Sequence, residues 1–218
     1  MALSPILPPG DAAIRQSDRP TVLGSSMGAA MKVIGTMDRE EYDRMLRDAR
    51  EQKQRVQIAN RVPWQTRLAT RHLLEAAKER VETIRILAGT GGQNFFTEEM
   101  VGLLRNCADA GCSIRMLVWQ PDLNTVSDGI KQLYTEGKLR LLPSGTKKFA
   151  ATMPHFLLVG EDTYRQEAGH EEFDPAKPFT DDYPEIPARI SFNDPDNALR
   201  LVGMFESLWN AADPAIAV

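Results

Sequence analysis

The sequence predicts an α/β fold: a mixed, mostly parallel sheet flanked by helices, with an N-terminal helical extension. Three observations predict it. Short runs rich in β-branched and aliphatic residues recur as "TIRILAG", "SIRMLVW" and "KLRLLP". The segments between them carry helical apolar spacing, and strand, helix, strand at this length implies a parallel crossover. Finally, 218 residues with 42% hydrophobic and 26% charged side chains suffice for one full core plus an appendage, but not for two large domains.

Taken in order, residues 1–36 read as a flexible arm, because "PPG" and "GSSMGAAM" interrupt every short apolar cluster. Residues 37–62 read as a helical extension. Tyr42, Met45, Leu46 and Ala49 fall at i, i+3, i+4 and i+7, Asp38 is suited to the N-cap, and the pattern is expected to continue to Ala59. Pro63 breaks the run and opens the α/β domain, 63–214, with a helix that offers Leu68, Leu73, Leu74, Ala76 and Ala77 to a core.

"TIRILAG" is then a strand, "TEEMVGLLRNCADAG" a helix capped by Thr97 and stopped by Gly111, and "SIRMLVW" the next strand. The helix "TVSDGIKQLYTEG" leads to the strand "KLRLLP". "HFLLVG" and "TYRQEA" are close enough for a hairpin around "EDT". Residues 169–187 are acidic and hold four prolines, which predicts a long surface loop. "ARISFND" is a strand, and "PDNALRLVGMFESLWNAA" a closing helix with Pro195 in its first turn and Leu199, Val202, Phe205 and Trp209 inward.

A net charge of −4 offers no whole-chain attraction to nucleic acid or an anionic membrane, so any such affinity needs a local patch. Cys107 and Cys112 read as small buried thiols at a helix-to-strand junction. Nothing in the spacing resembles a disulfide framework or a metal-ligand cluster, so neither metal nor cofactor is expected, and a reducing cytoplasm is the expected compartment. No stretch approaches the roughly 20 apolar residues of a membrane span, so no membrane association is expected.

The order "AAKERVETIRILAG", "LLRNCADAGCSIRMLV", "HFLLVGED" and "FNDPDNALRLVGMFESLWNAA" resembles one half of the phospholipase D superfamily, in the single-copy form of its bacterial nucleases, over residues 64–212. The resemblance implies His-x-Lys, four residues, then Asp. A histidine would attack phosphorus to form a phosphohistidine, lysine would hold the non-bridging oxygens, and a second copy of the chain would supply the acid. It therefore implies a homodimer. Here His155 takes the first position and Asp162 the last, but Leu157 stands where the resemblance places lysine. Loss of one charge-stabilising donor costs about 10² to 10³ in rate. The later small hydroxyl and amide element is replaced by "EAGHEEF", whose acids repel a phosphodiester.

Candidate replacements for the missing charge are Lys147 and Lys148 in the preceding loop, Arg165 on the adjoining strand, and His170. Strand alternation sends Arg165 and Glu167 to one face. Against a catalytic role, His155 also fits a strand residue with one ring nitrogen satisfied by a neighbour, and Asp162 fits the turn "GEDT".

"GTGGQNFF" invites a phosphate-binding reading, yet a dinucleotide fingerprint wants a third small residue where Asn94 sits, and a tight loop is the simpler account. From Arg50 to Arg71 there are six basic residues (Arg50, Lys53, Arg55, Arg61, Arg67 and Arg71) against Glu51, with Trp64 among them. They form a candidate nucleic-acid contact. Equally, they form a solvated face docking on acids of the same chain or a protein partner, since residues 161–185 hold nine acids. Trp119 and Trp209 read as core or interface anchors. The leading expectation is a catalytically degenerate, dimeric binding, scaffolding or regulatory module. The alternatives are an active phosphodiesterase or nuclease, and a nucleic-acid-associated protein acting through residues 50–71.

Overall fold

A computed structural model describes residues 37–120, 123–144, 151–170, 180 and 185–212. The expected arm, Lys147 and Lys148, and most of the acidic loop lie outside the described residues. Helix α1, Arg39–Glu51, starts where Asp38 Oδ1 accepts from the Glu41 amide at 2.8 Å. Its buried residues are Tyr42, Leu46 and Ala49, with Met45 packed at the margin. The helix does not run on to Ala59. Gln52 to Gln57 carry no apolar period, Lys53 takes a positive φ of 48°, and Ile58–Asn60 becomes an edge strand, β1.

Helix α2, Pro63–Arg80, buries Leu68, Leu73, Leu74, Ala76 and Ala77 as the spacing requires. Next come β2 (Ile84–Ala88), α3 (Glu98–Asp109), β3 (Ile114–Val118), α4 (Asp128–Thr135) and β4 (Arg140–Pro143). Thr97 caps α3. Strands β2, β3 and β4 pair in parallel, because a helix carries the chain back between each of them. The rest differs. β5 (His155–Val159), β6 (Thr163–Glu167) and β7 (Ala188–Ser191) follow, and α5 (Pro195–Ala212) closes the chain.

The sheet order is β1-β7-β6-β5-β2-β3-β4. Four of its six pairings are antiparallel, so the sheet is mixed but mostly antiparallel, against the expectation of a mostly parallel one. The physical reason is that β5 and β6 form a tight hairpin, and β7 and β1 are added antiparallel beside it. Gly160, φ 59°, turns that hairpin.

Helices cover both faces, which gives three layers. On one face α1 to α4 pack with Ile86, Met116, Leu157 and Val159; on the other, α5 packs with Leu87, Trp119, Phe156, Leu158 and Tyr164. Alternation along β5 thus divides its side chains between two cores. Trp119 and Trp209 are buried, and Cys107 and Cys112 are buried free thiols. In α5 the inward stripe is Ala198, Leu201, Phe205 and Trp209, whereas Leu199 is 50% exposed, a correction of the expected face by one residue. Arg115 lies 5.3 Å from both the Phe205 and Trp209 ring centres and also pairs with Glu206, so cation–π contacts help seat this helix. Among the described residues, no helix is long and apolar enough to cross a membrane.

Candidate functional site

The site follows from the register of one hairpin. β5 and β6 pair His155 with Glu167 and Leu157 with Arg165, and period-two alternation sends all four to the α2 face. They line one wall of a cavity of about 350 Å³. The other walls are the loop from Gly89 to Phe96, the segment from Asn124 to Asp128, and the start of α2. His170, three residues beyond β6, returns to the same cavity. Its ring meets that of His155 edge to face, 4.7 Å between centres.

Glu167 is the hub. Its Oε1 lies 3.4 Å from His155 Nδ1 and 3.3 Å from His170 Nε2, while Oε2 accepts from Arg165 Nη2 at 2.6 Å. Burial pushes the Glu167 carboxyl upward, but the Arg165 charge and the hydrogen bonds with His155 and His170 outweigh it and hold the group well below the usual carboxylate range. Glu167 is therefore an anion at neutral pH. Arg165 is buried and further fixed: Nε donates to Asn60 Oδ1 at 2.7 Å and Nη2 to Thr66 Oγ1 at 3.3 Å. Asn60 comes from β1 and Thr66 from α2, so the edge strand and the helix after it both hold Arg165. No period-two alternation in "QIAN" marks the strand, so Asn60 carried no local signal.

His155 is 7% exposed, and its ring nitrogen is paired with Glu167 as one of the sequence readings required. Gly89 makes room for it, since a Cβ there would stand 3.3 Å from His155 Cε1. Asp162 is elsewhere. It sits on the hairpin turn, where both oxygens accept from Arg80 Nη1 at 2.9 Å and Oδ1 also from Thr163 Oγ1 at 2.8 Å, tying the turn to the end of α2. Gly91, φ 68°, packs so close to Met116 and Val118 that a side chain would collide, and its carbonyl accepts from the Ser127 amide at 2.9 Å. The glycine loop is thus a tight turn walling the cavity, and α3 begins beyond it.

Solved structures offer a comparison. The chain superimposes on Nuc, a phospholipase D family member from Salmonella typhimurium, with a TM-score of 0.51 at 16% identity, over 72% of this chain and 96% of Nuc. The fold is phospholipase D-like. Polyphosphate kinase from Porphyromonas gingivalis matches with a TM-score of 0.55 at 14% identity, over 79% of this chain and 29% of the kinase. TrmBL2, an archaeal chromatin protein with a novel mode of DNA binding, matches with a TM-score of 0.51 at 19% identity, over 86% of this chain. The chain spans 63% of TrmBL2's length. No protein-family profile and no curated protein matches the sequence.

On this phospholipase D-like frame several basic residues of 50–71 have carboxylate partners within the chain, while Lys53 and Arg55 stay exposed. Arg50 pairs with Glu75, Arg55 with Asp196, Arg61 with Glu185 at 3.7 Å, and Arg71 with Glu99. Arg67 is half-buried on α2, and Trp64 packs edge to face on Tyr42, 5.4 Å between centres. The carboxylate partners come mainly from helices and loops that the sequence reading had not connected to this segment. The residue it missed at the pocket is Glu167 as hub, although Arg165 and Glu167 were placed on one face.

Proposed function

We propose that the chain is a non-hydrolytic, phospholipase D-like binding module that acts as a homodimer in a scaffolding or regulatory role. One observation carries the reading. The position that the resemblance gives to lysine holds buried Leu157, and the cation facing it, Arg165, is committed to Glu167, Asn60 and Thr66. A phosphoryl transition state needs charge presented to its equatorial oxygens. A guanidinium already neutralised by a carboxylate supplies little of it. The cavity itself, partly apolar with a few convergent polar groups, has the character of a small-ligand site. Dimerisation is inferred from the resemblance, in which two motif-bearing edges meet.

The test is turnover of a chromogenic phosphodiester and of single- and double-stranded DNA in the presence of a chelator, with His155→Ala beside the wild type. No His155-dependent turnover is expected. Cleavage that His155→Ala abolishes, or phosphate on His155 in the intact mass, overturns the proposal and favours a nuclease using Arg165 or His170. Sizing at micromolar concentration is expected to give a dimer, and a monomer counts against the pairing.

A further inference from the structure

His155, Glu167 and His170 are all ligand types for transition metals, and each offers an atom within 4.8 Å of the others. Their spacing is informative. Both imidazole nitrogens stand 3.3–3.4 Å from the same oxygen of Glu167. An ordinary N–H···O hydrogen bond has its heavy atoms about 2.7–3.2 Å apart, so these are long for hydrogen bonds. The same two spacings also suit edges of a coordination tetrahedron, in which ligand atoms bonded to zinc at about 2.0–2.1 Å are about 3.3–3.4 Å apart, and the third pair, His155 and His170, within 4.8 Å, would close on binding.

A second layer orients the set. Glu167 Oε2 accepts from Arg165 at 2.6 Å, which turns Oε1 toward the two rings, and Asn60 and Thr66 hold Arg165 in turn. Metal-ligating carboxylates are commonly held in this way by an outer hydrogen-bond donor. Charge is consistent too. Arg165 balances the Glu167 charge, and three protein ligands leave a fourth position for water or an anion from the adjoining cavity.

We propose that His155 Nδ1, Glu167 Oε1 and His170 Nε2 form a binding site for a divalent cation of the zinc class, with Arg165 as the positioning residue for Glu167. The assignment rests on reading the pocket as a binding site and gives that reading its ligand class. The sequence hid it because the three ligands are spread over 155–170 in no motif: register pairs His155 with Glu167, and the segment after β6 returns His170.

The experiment titrates chelator-stripped full-length protein with Zn²⁺, followed by calorimetry and by melting temperature, for wild type, His170→Ala and His170→Phe. His170 lies beyond β6 and is only half-buried, so both variants are expected to keep the fold, which the melting curve without Zn²⁺ checks, and Phe to keep a ring against His155. Expected are one Zn²⁺ per chain, a raised melting temperature, and an affinity at least tenfold weaker in both variants. Arg165→Lys, which loses the planar fork, is expected to weaken Zn²⁺ binding by about 10- to 100-fold. Absence of saturable binding overturns the site, as does binding unchanged in His170→Ala or restored in His170→Phe. Turnover in chelator would instead sink the non-hydrolytic reading and leave this site standing.

Discussion

Leu157 and Arg165 face each other as a register pair across β5 and β6, both buried, so a buried cation stands one strand away from the position where the resemblance puts lysine. The displacement changes what the charge can do. A lysine at 157 would project from the same strand as His155, whereas Arg165 reaches the pocket already bridged to Glu167.

Leu157→Lys is expected to destabilise the protein without creating turnover. The new ammonium would sit against Arg165 with one carboxylate to serve both, at a cost of about 2–3 kcal/mol. Leu157→Met, which keeps volume, should stay within about 1.5 kcal/mol of wild type. Urea denaturation of the three proteins checks the ordering.

Glu167→Gln removes the partner of a buried guanidinium and is expected to cost about 3–5 kcal/mol. The pH dependence has a defined sign. Because the folded Glu167 carboxyl lies well below its ordinary 4.5, its contribution is fully present above the ordinary range and is lost as pH falls through the depressed folded value. Wild type and Glu167→Gln should therefore differ most at neutral pH and converge in acid. A gap that widens below pH 4 would contradict this.

Asp162→Asn tests whether the seventh residue after His155 serves chemistry or structure. With both oxygens bound to Arg80 at a partly exposed turn, its loss is expected to lower stability by about 1 kcal/mol and to leave Zn²⁺ affinity unchanged. Denaturation and calorimetry on one preparation report both.

DNA affinity is expected to be no tighter than non-specific binding, about 10⁻⁶ to 10⁻⁴ M, because Arg50, Arg55, Arg61 and Arg71 already serve carboxylates. Reversing Arg61 and Arg67 to Glu should leave it nearly unaltered. Fluorescence anisotropy between 50 and 200 mM salt measures this; a steep salt slope that the double variant abolishes would restore the nucleic-acid reading.

Elements with strong local signals were legible: the caps at Asp38 and Thr97, the apolar stripes of α1 and α2, and the two parallel crossovers. Two kinds of feature were not. β1 is three residues long and acquires strand geometry only by pairing with β7, so the preceding helical period masked it. Glu167 as hub, and its union with His155, His170, Asn60 and Thr66, depends on long-range register that no window of neighbouring residues encodes. His155 itself was readable as a key residue, but the partner that decides its chemistry was not.

The bare backbone at Gly89 gives this pocket an adjusting screw. One methyl group there would press on the neighbouring imidazole and oblige it to yield by a few tenths of an ångström, comparable with the tolerance of roughly 0.5 Å within which a working constellation must be held. An alanine at that point would therefore retune the ensemble of three ligating side chains while leaving every ionisable group in place.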